Sequence, residues 1–318
     1  MAQPKTFTLQ EAFGLPSQTQ IQGFDEHPLA PPKKEYFFHR GMVSDMLAFF
    51  RSGERACYLY GERGTGKTSF AEQFHAHLNL PLVVVSGSSD MLTEKLLGSW
   101  VMKSDKSMEY RYAGILLAAK AGVPVLVDEY NLIPSGVISI VNRLLEGYYY
   151  DCPETGERIV PGPGFRLYAT GNPADGVQYK DREEMDSAQE ERFFWIECHY
   201  PSAAEETPMV ERQLETAVTD PAIRSTLAQQ MVDVANKIRD RHMARNQGSD
   251  ALRTVMSTRT LLRWARYTCV FHEVTRMGKS PLHYALERVL TRAPSVDAGE
   301  KTAVHEIVTL VTGQQYEV

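Results

Sequence analysis

Cysteine is scarce in this sequence and never paired. Cys57, Cys152, Cys198 and Cys269 stand far apart with no CxxC. That excludes a disulfide framework or a zinc ribbon and fits a reducing compartment. No apolar run is long enough to cross a bilayer. The opening MAQPKTFTLQEAFG has no basic stretch followed by an apolar one, so no signal peptide is expected. The nine histidines form no HExxH, and His75 and His77, two residues apart, point to different sides of a helix and read as structural. An excess of basic charge is also missing. The formal net charge of −6 argues against non-specific binding to nucleic acid. A soluble, cytoplasmic protein without membrane contact is expected.

What is present is enough apolar material, 43% of 318 residues, for one large domain or two modest ones. Residues 1–35 are rich in Pro, Gln and charge and read as an extended arm without regular structure, in which TLQEAFG can form one short amphipathic turn that docks elsewhere. From residue 36 short apolar runs (ACYLY, LVVV, VPVLV, FRLYA, FFWIE) alternate with helical stretches. This alternation predicts an α/β domain over 36–200 around a central parallel sheet. Strand signals stop after Pro201. Helical spacing over 208–244, 258–275, 281–292 and 299–312, interrupted by the loop-like 245–250, predicts a smaller helical domain over 201–318.

The run GERGTGKT at 61–68 matches G-x-x-x-x-G-K-[ST] between a strand and a helix. Gly61, Gly64 and Gly66 let backbone N–H groups converge on phosphate oxygens, and the helix start adds its positive end. The phosphate-binding stretch is therefore Gly61, Glu62, Arg63, Gly64, Thr65, Gly66, Lys67, Thr68 and Ser69. Lys67 neutralises β/γ-phosphate charge, and the Thr68 hydroxyl suits Mg²⁺. This predicts ATP and Mg²⁺ as the cofactors. VPVLVDE closes an apolar strand with two carboxylates. Asp128 at the strand's carboxyl end fits the Mg²⁺ shell through water, and Glu129 fits a base that polarises the attacking water. The plainer reading is a strand ending in a solvated acidic turn. After FRLYA, Thr170-Gly-Asn172-Pro offers Asn172 to orient water or touch the γ-phosphate, and Gly-Asn-Pro is also a good turn by itself. Arg192 precedes the apolar FFWI, and its simplest role is an ion pair with Glu190 or Glu191. Arg259 lies just inside a Ser-Thr helix start and otherwise reads as a surface arginine.

Taken together, GERGTGKT, VPVLVDE, YATGNP, EERFF and STRTLL resemble the Walker A, Walker B, sensor 1, arginine-finger and sensor 2 motifs of an AAA+ ATPase. The resemblance is to the MoxR branch, and within it to the ATPase subunit of aerobic cobaltochelatases and to CbbQ/NorQ-type activators. It implies an AAA+ P-loop core with two hairpin inserts and a C-terminal helical lid. It also implies a ring, hexameric by family, that hydrolyses ATP to remodel or activate a protein partner. Such partners often carry a von Willebrand factor A domain, and the outcome can be metal or cofactor insertion. The arginine at the position of Arg192 would reach the γ-phosphate of the neighbouring subunit. The one at Arg259 would contact nucleotide held by its own subunit.

Two hairpin-like inserts stand out. SWVMKSDKSMEYRYA has a turn at 104–107, and GYYYDCPETGERIVPGP has a turn at 153–157. By the same resemblance both face the ring's pore or surface. Packing is the expected use of most of Tyr148, Tyr149 and Tyr150, and Glu154 and Thr155 are the expected partner contacts. A nucleic-acid motor is the competing reading, supported by Lys103, Lys106 and Arg111 on the first insert but by no helix-turn-helix or finger. A small-molecule kinase is disfavoured by the Asp-Glu pair, Arg192 and a separate lid.

Overall fold

The first residues depart from the expected arm. The computed structural model describes residues 2–87, 93–133, 135–171, 187–244 and 251–316. Its chain begins with an antiparallel pair, β1 (Pro4–Thr8) and β2 (Gln20–Phe24), joined through helix α1 (Leu9–Phe13). Composition hid three local instructions. A capping box starts α1, with Thr8 N–H donating to the Glu11 carboxylate and Glu11 N–H to the Thr8 hydroxyl. Gly14, at φ 70°, ends it. Phe7, Leu9, Ala12 and Phe13 are buried, Phe13 stacking on Phe74 at 5.0 Å and meeting Phe38 edge-on at 4.7 Å. The TLQEAFG turn is thus a real helix, seated on the core of its own domain.

After α2 (Arg40–Ser52) come β3 (Ala56–Tyr60), α3 (Lys67–His77), β4 (Val83–Ser86), α4 (Thr93–Leu97), a hairpin of β5 (Gly98–Met102) and β6 (Met108–Tyr112), α5 (Gly114–Ala121) and β7 (Val125–Asp128). Then follow α6 (Ser135–Leu145), a small hairpin of β8 (Tyr150–Asp151) and β9 (Arg158–Ile159), β10 (Leu167–Gly171), α7 (Ser187–Glu190) and β11 (Phe194–Glu197). Five of the strands make one parallel sheet in the order β11-β3-β10-β7-β4. Both faces are covered, which explains the nearly continuous apolar runs. Alternation along each strand divides the core. Ala56, Tyr58, Val125, Val127, Leu167 and Ala169 face one side, whereas Cys57, Leu59, Leu126, Tyr168 and Ile196 face the other. His75 belongs to this second side as a neutral core residue. Its Nδ1 lies 2.9 Å from the Pro81 carbonyl, its Nε2 lies 3.1 Å from Tyr168 Oη, and burial pushes it down to about 4. All four cysteines are free and buried.

The chain divides into two compact units, one of Met1–Glu62 with Gly66–Cys198, the other of Arg63–Thr65 with His199–Val318. The second is helical, with α8 (Ala203–Leu214), α9 (Pro221–Met243), α10 (Thr258–Val270), α11 (Pro281–Leu286) and α12 (Ala298–Thr312). Helix α8 begins earlier than periodicity implies because Ser202 and Glu205 form a capping box, Ser202 N–H donating to Glu205 at 2.9 Å. Trp264 anchors the core of this unit, its Nε1–H donating to the Leu282 carbonyl at 2.9 Å. Arg239 and Glu206 form a buried two-pronged pair at 2.7 and 2.8 Å, completed by Arg239 Nε to the Met256 carbonyl and by the Thr258 hydroxyl to Glu206. Such a pair is tolerable only because nearly every donor and acceptor is met. No helix among the described residues is long and apolar enough to cross a membrane.

Phe13→Ala should destabilise the first unit by about 3–5 kcal/mol, the usual result of emptying a buried aromatic site. Urea unfolding followed by far-UV circular dichroism checks this, and an unchanged midpoint would mean that the N-terminal segment is a detachable arm after all.

Candidate functional site

Parallel strands end at one edge of their sheet, so the carboxyl ends of β3, β7 and β10 lie side by side there. The loop after β3 runs over 61–66 and enters α3 at Lys67. Gly61, Gly64 and Gly66 have φ of 142°, 79° and 89°, a region open to glycine and strained for other residues. At Gly61 space is limiting as well, since a Cβ would lie 2.2 Å from the Cys198 carbonyl oxygen. Lys67 is buried, and its ammonium donates to the carbonyls of Gly61 at 2.8 Å and Glu62 at 2.9 Å. The loop is thus folded around its own cation at the amino end of α3, where phosphate groups are favoured. Thr65 is buried and Ser69 half-buried. Arg63–Thr65 group with the second unit, in which Tyr200 Oη donates to the Arg63 carbonyl at 2.6 Å.

Asp128 ends β7, paired in register with Ser86 of β4. One oxygen, Oδ1, accepts hydrogen bonds from the Thr68 hydroxyl at 2.6 Å and the Thr170 hydroxyl at 2.5 Å. The Thr170 oxygen in turn accepts the Glu129 N–H at 3.1 Å, and Gly87 N–H donates to the Asp128 carbonyl at 2.6 Å. Helix α3, β7 and β10 are therefore joined at one carboxylate, and the residue after β4 at the carbonyl of the same aspartate. Glu129 follows at φ 53°, ψ 49°, a left-handed conformation that costs a non-glycine residue about 1–3 kcal/mol and is found most often at functional sites. Among the described residues, Tyr130 Oη and Asn131 Oδ1 are buried beside this turn without a hydrogen-bond partner. Thr68 and Asp128 offer adjacent hard oxygens, a donor set that fits Mg²⁺, which takes one or two protein oxygens and fills its shell with water and phosphate.

Thr170 is the residue that sequence reasoning missed. The only signal was a hydroxyl at the polar end of a buried strand. Gly171 beside it is obligatory, because a Cβ there would lie 1.9 Å from Tyr58 Oη. Asn172, expected to orient water, lies outside the described residues, as does the loop-like 245–250.

Arg192 sits where β11 begins, and the buried Phe193 beside it packs edge-on against Tyr58 at 5.4 Å and Tyr130 at 5.5 Å. Its guanidinium bonds Glu146, at the end of α6, through Nε at 3.2 Å and Nη2 at 3.0 Å. Arg192 thus pairs with a glutamate 46 positions away, where the sequence suggested Glu190 or Glu191. Both groups are about a third or more exposed, so the pair contributes at most about 1 kcal/mol and breaks easily. Arg259 is exposed near the start of α10, where the Ser257 hydroxyl caps the helix by accepting Thr260 N–H at 3.1 Å. Arg263 and Arg266 follow it on the same exposed face.

Both hairpins are formed. Thr155 and Glu154, expected at a partner contact, are exposed; Thr155 bonds Tyr112 Oη at 2.8 Å, and Glu154 accepts from the Cys152 thiol at 3.1 Å. Glu157 accepts from Tyr112 Oη at 2.7 Å and pairs with Lys120 at 2.8 Å, so the β8–β9 turn is tied to β6 and α5. Of the three tyrosines, Tyr150 packs on the core, whereas Tyr148 and Tyr149 are exposed, with Arg143 and Arg158 over their rings. On β5–β6 the alternation puts Trp100, Met102 and Met108 on one face, and all three are exposed.

The chain is similar in sequence to known proteins. The family model for the AAA domain (dynein-related subfamily) matches residues 56–193, and that for the CbbQ/NirQ/NorQ C-terminal region matches 215–311. The chain is 27% identical over 281 residues to aerobic cobaltochelatase subunit CobS of Sinorhizobium sp, spanning 85% of this chain and 82% of that one. It is 25% identical over 261 residues to midasin of Dictyostelium discoideum, spanning 80% of this chain and 4% of that protein. Protein NorQ of Paracoccus denitrificans (strain Pd 1222) is 28% identical over 156 residues, 49% of this chain and 56% of NorQ.

Thr170→Val keeps the shape and removes the hydroxyl that serves both Asp128 and Glu129. The loss should be about 1–2 kcal/mol, the cost of unpaired polar groups, whereas Thr170→Ser should stay near wild type. Urea midpoints of the two variants compare them directly, and equal midpoints would remove the hydroxyl from the network.

Proposed function

The chain belongs to the MoxR-type AAA+ ATPases, and from that premise we propose that it forms a ring, hexameric by family, and hydrolyses ATP to remodel or activate a protein partner. The observation that carries the proposal is the joining of Thr68, Asp128, Thr170 and the Glu129 backbone at one carboxylate. The glycine-rich loop and the start of α3 bind the phosphates, and Lys67 exchanges its two loop carbonyls for phosphate oxygens. Thr68 and Asp128 would hold Mg²⁺, which when bound would neutralise phosphate charge. Glu129 takes the proton of the attacking water, held in place by the strained turn behind Asp128. Asn172 orients that water.

Arg192 acts in trans. Its weak pair with Glu146 keeps the guanidinium at the surface until a neighbouring subunit's phosphate competes for it. A cation so placed stabilises charge on phosphoryl oxygens, worth about 10³–10⁵ in rate in other systems. Arg259, exposed on α10, contacts nucleotide of its own subunit. The exposed Trp100, Met102 and Met108 suit an apolar segment of a client protein. CobS, a relative by sequence, is named as a cobaltochelatase subunit, so metal insertion through a von Willebrand factor A partner is the proposed setting. The nucleic-acid motor has less support, since Lys103 and Arg111 both pair with Glu109 at 3.6 Å.

Glu129→Gln should bind ATP as wild type does while phosphate release falls about 10²–10⁴-fold; turnover near wild type would take the base role from Glu129. Loaded with ATP, this variant should also retain a von Willebrand factor A protein in a pull-down, and failure to retain one would count against that partner.

Arg192→Ala and Lys67→Ala subunits should each be inactive alone and regain part of the activity when mixed. Absence of rescue in rings shown by native mass spectrometry to be mixed would rule out the trans arrangement.

A further inference from the structure

After α12 the chain turns at Gly313 and lays Gln314 and Tyr316 against α11 and the turn Glu287–Thr291. With both imidazoles neutral, the hydrogen bonds there form one consistent chain of donors. His283 Nε2 lies 2.9 Å from the Gln314 carbonyl, which only accepts, so this nitrogen carries the hydrogen. The bare Nδ1 of a neutral His283 then accepts from His305 Nδ1–H at 2.8 Å. His305 Nε2, now bare, accepts from the Thr291 hydroxyl at 3.1 Å. Tyr316 completes the contact. Its ring stacks on His305 with centroids 3.8 Å apart and planes at 4°, and its hydroxyl donates to Glu287 at 2.6 Å. Gln314 is also held by its side chain, which accepts from the Ser280 hydroxyl.

We infer that this tail is a proton-released latch, seated while both imidazoles are neutral and freed when they take up protons. The chain of donors tolerates one added proton by reversing the His305 tautomer. A second sets N–H against N–H at the His283–His305 contact, where no acceptor remains. The surroundings oppose even the first. Glu287 is the carboxylate facing the pair, and it is already met by Tyr316, Lys301 at 2.9 Å and Arg292 at 3.0 Å, with Arg288 at 3.7 Å. Lys279 lines the same cavity of about 190 Å³. Burial accordingly pushes His305 down to about 4 and lowers His283. Glu287, held at about 2, stays charged throughout, and Tyr316 is raised, so of these groups only the imidazoles titrate in mild acid. A base with a docked value below its free one contributes fully above the free value, about 6.5, and loses that contribution as pH falls toward about 4.

Hydrogen exchange of the full chain, normalised to intrinsic rates, tests this on a peptide covering 309–316. From pH 7.5 to 5 one histidine moving from about 4 to 6.5 raises the open population about thirty-fold. The expected result is a rise of that order in the tail while α9 stays protected. The double variant His283→Gln, His305→Gln cannot titrate and should give a flat profile. A flat wild-type profile, or the same rise surviving in the double variant, overturns the latch. The wild-type profile decides alone should the double variant not fold.

Discussion

The Asp128 carboxylate is the point at which the first unit's site is assembled. A side chain at the end of β7 accepts hydroxyls from α3 and β10 at one oxygen, while its backbone carbonyl holds the residue after β4. Three segments distant in sequence are thereby fixed within hydrogen-bond distance of one another, and the next residue, Glu129, is forced into a left-handed turn. The arrangement follows from parallel pairing. Strands of an antiparallel sheet would end alternately at opposite edges, and these groups would not meet.

A second theme is the contrast between firm and loose ion pairs. Arg239 and Glu206 are buried, two-pronged and shared with further partners, so they serve as a fixed joint among α8, α9 and the start of α10. Arg192 and Glu146 form a half-exposed pair that contributes little and is readily exchanged. The proposed trans role needs the second kind. A guanidinium locked in a buried network would be costly to extract, whereas one parked at the surface beside a rigid strand is available at a defined place.

Much of this could be read from the chain. The glycine-rich loop, the acidic strand end and the five apolar strands each carry their own local pattern, since glycine conformation and strand periodicity depend on near neighbours. Other features stayed hidden because their partners are remote. Composition made residues 1–35 look unstructured, although Phe7 and Phe13 needed only Phe74 and Phe38 to bury against. The bond from Thr155 to Tyr112 was invisible because the two lie 43 positions apart. Thr170 showed only a hydroxyl at the polar end of a buried strand, with nothing to single it out until Asp128 stood opposite.

The sequence by itself determined the local elements of the site. GERGTGKT, VPVLVDE and the strand–helix alternation give a glycine-rich loop and an acidic strand end, because those residue types at those spacings set the local backbone. Tertiary structure alone decided which groups share a proton or a charge. Arg192 with Glu146, Thr170 between Asp128 and Glu129, and His283 with His305 are pairings across 46, about 40 and 22 positions. Hydrogen bonds tolerate only a few tenths of an ångström of error in donor–acceptor distance, and only the packed fold sets distances that closely between residues so far apart in the chain.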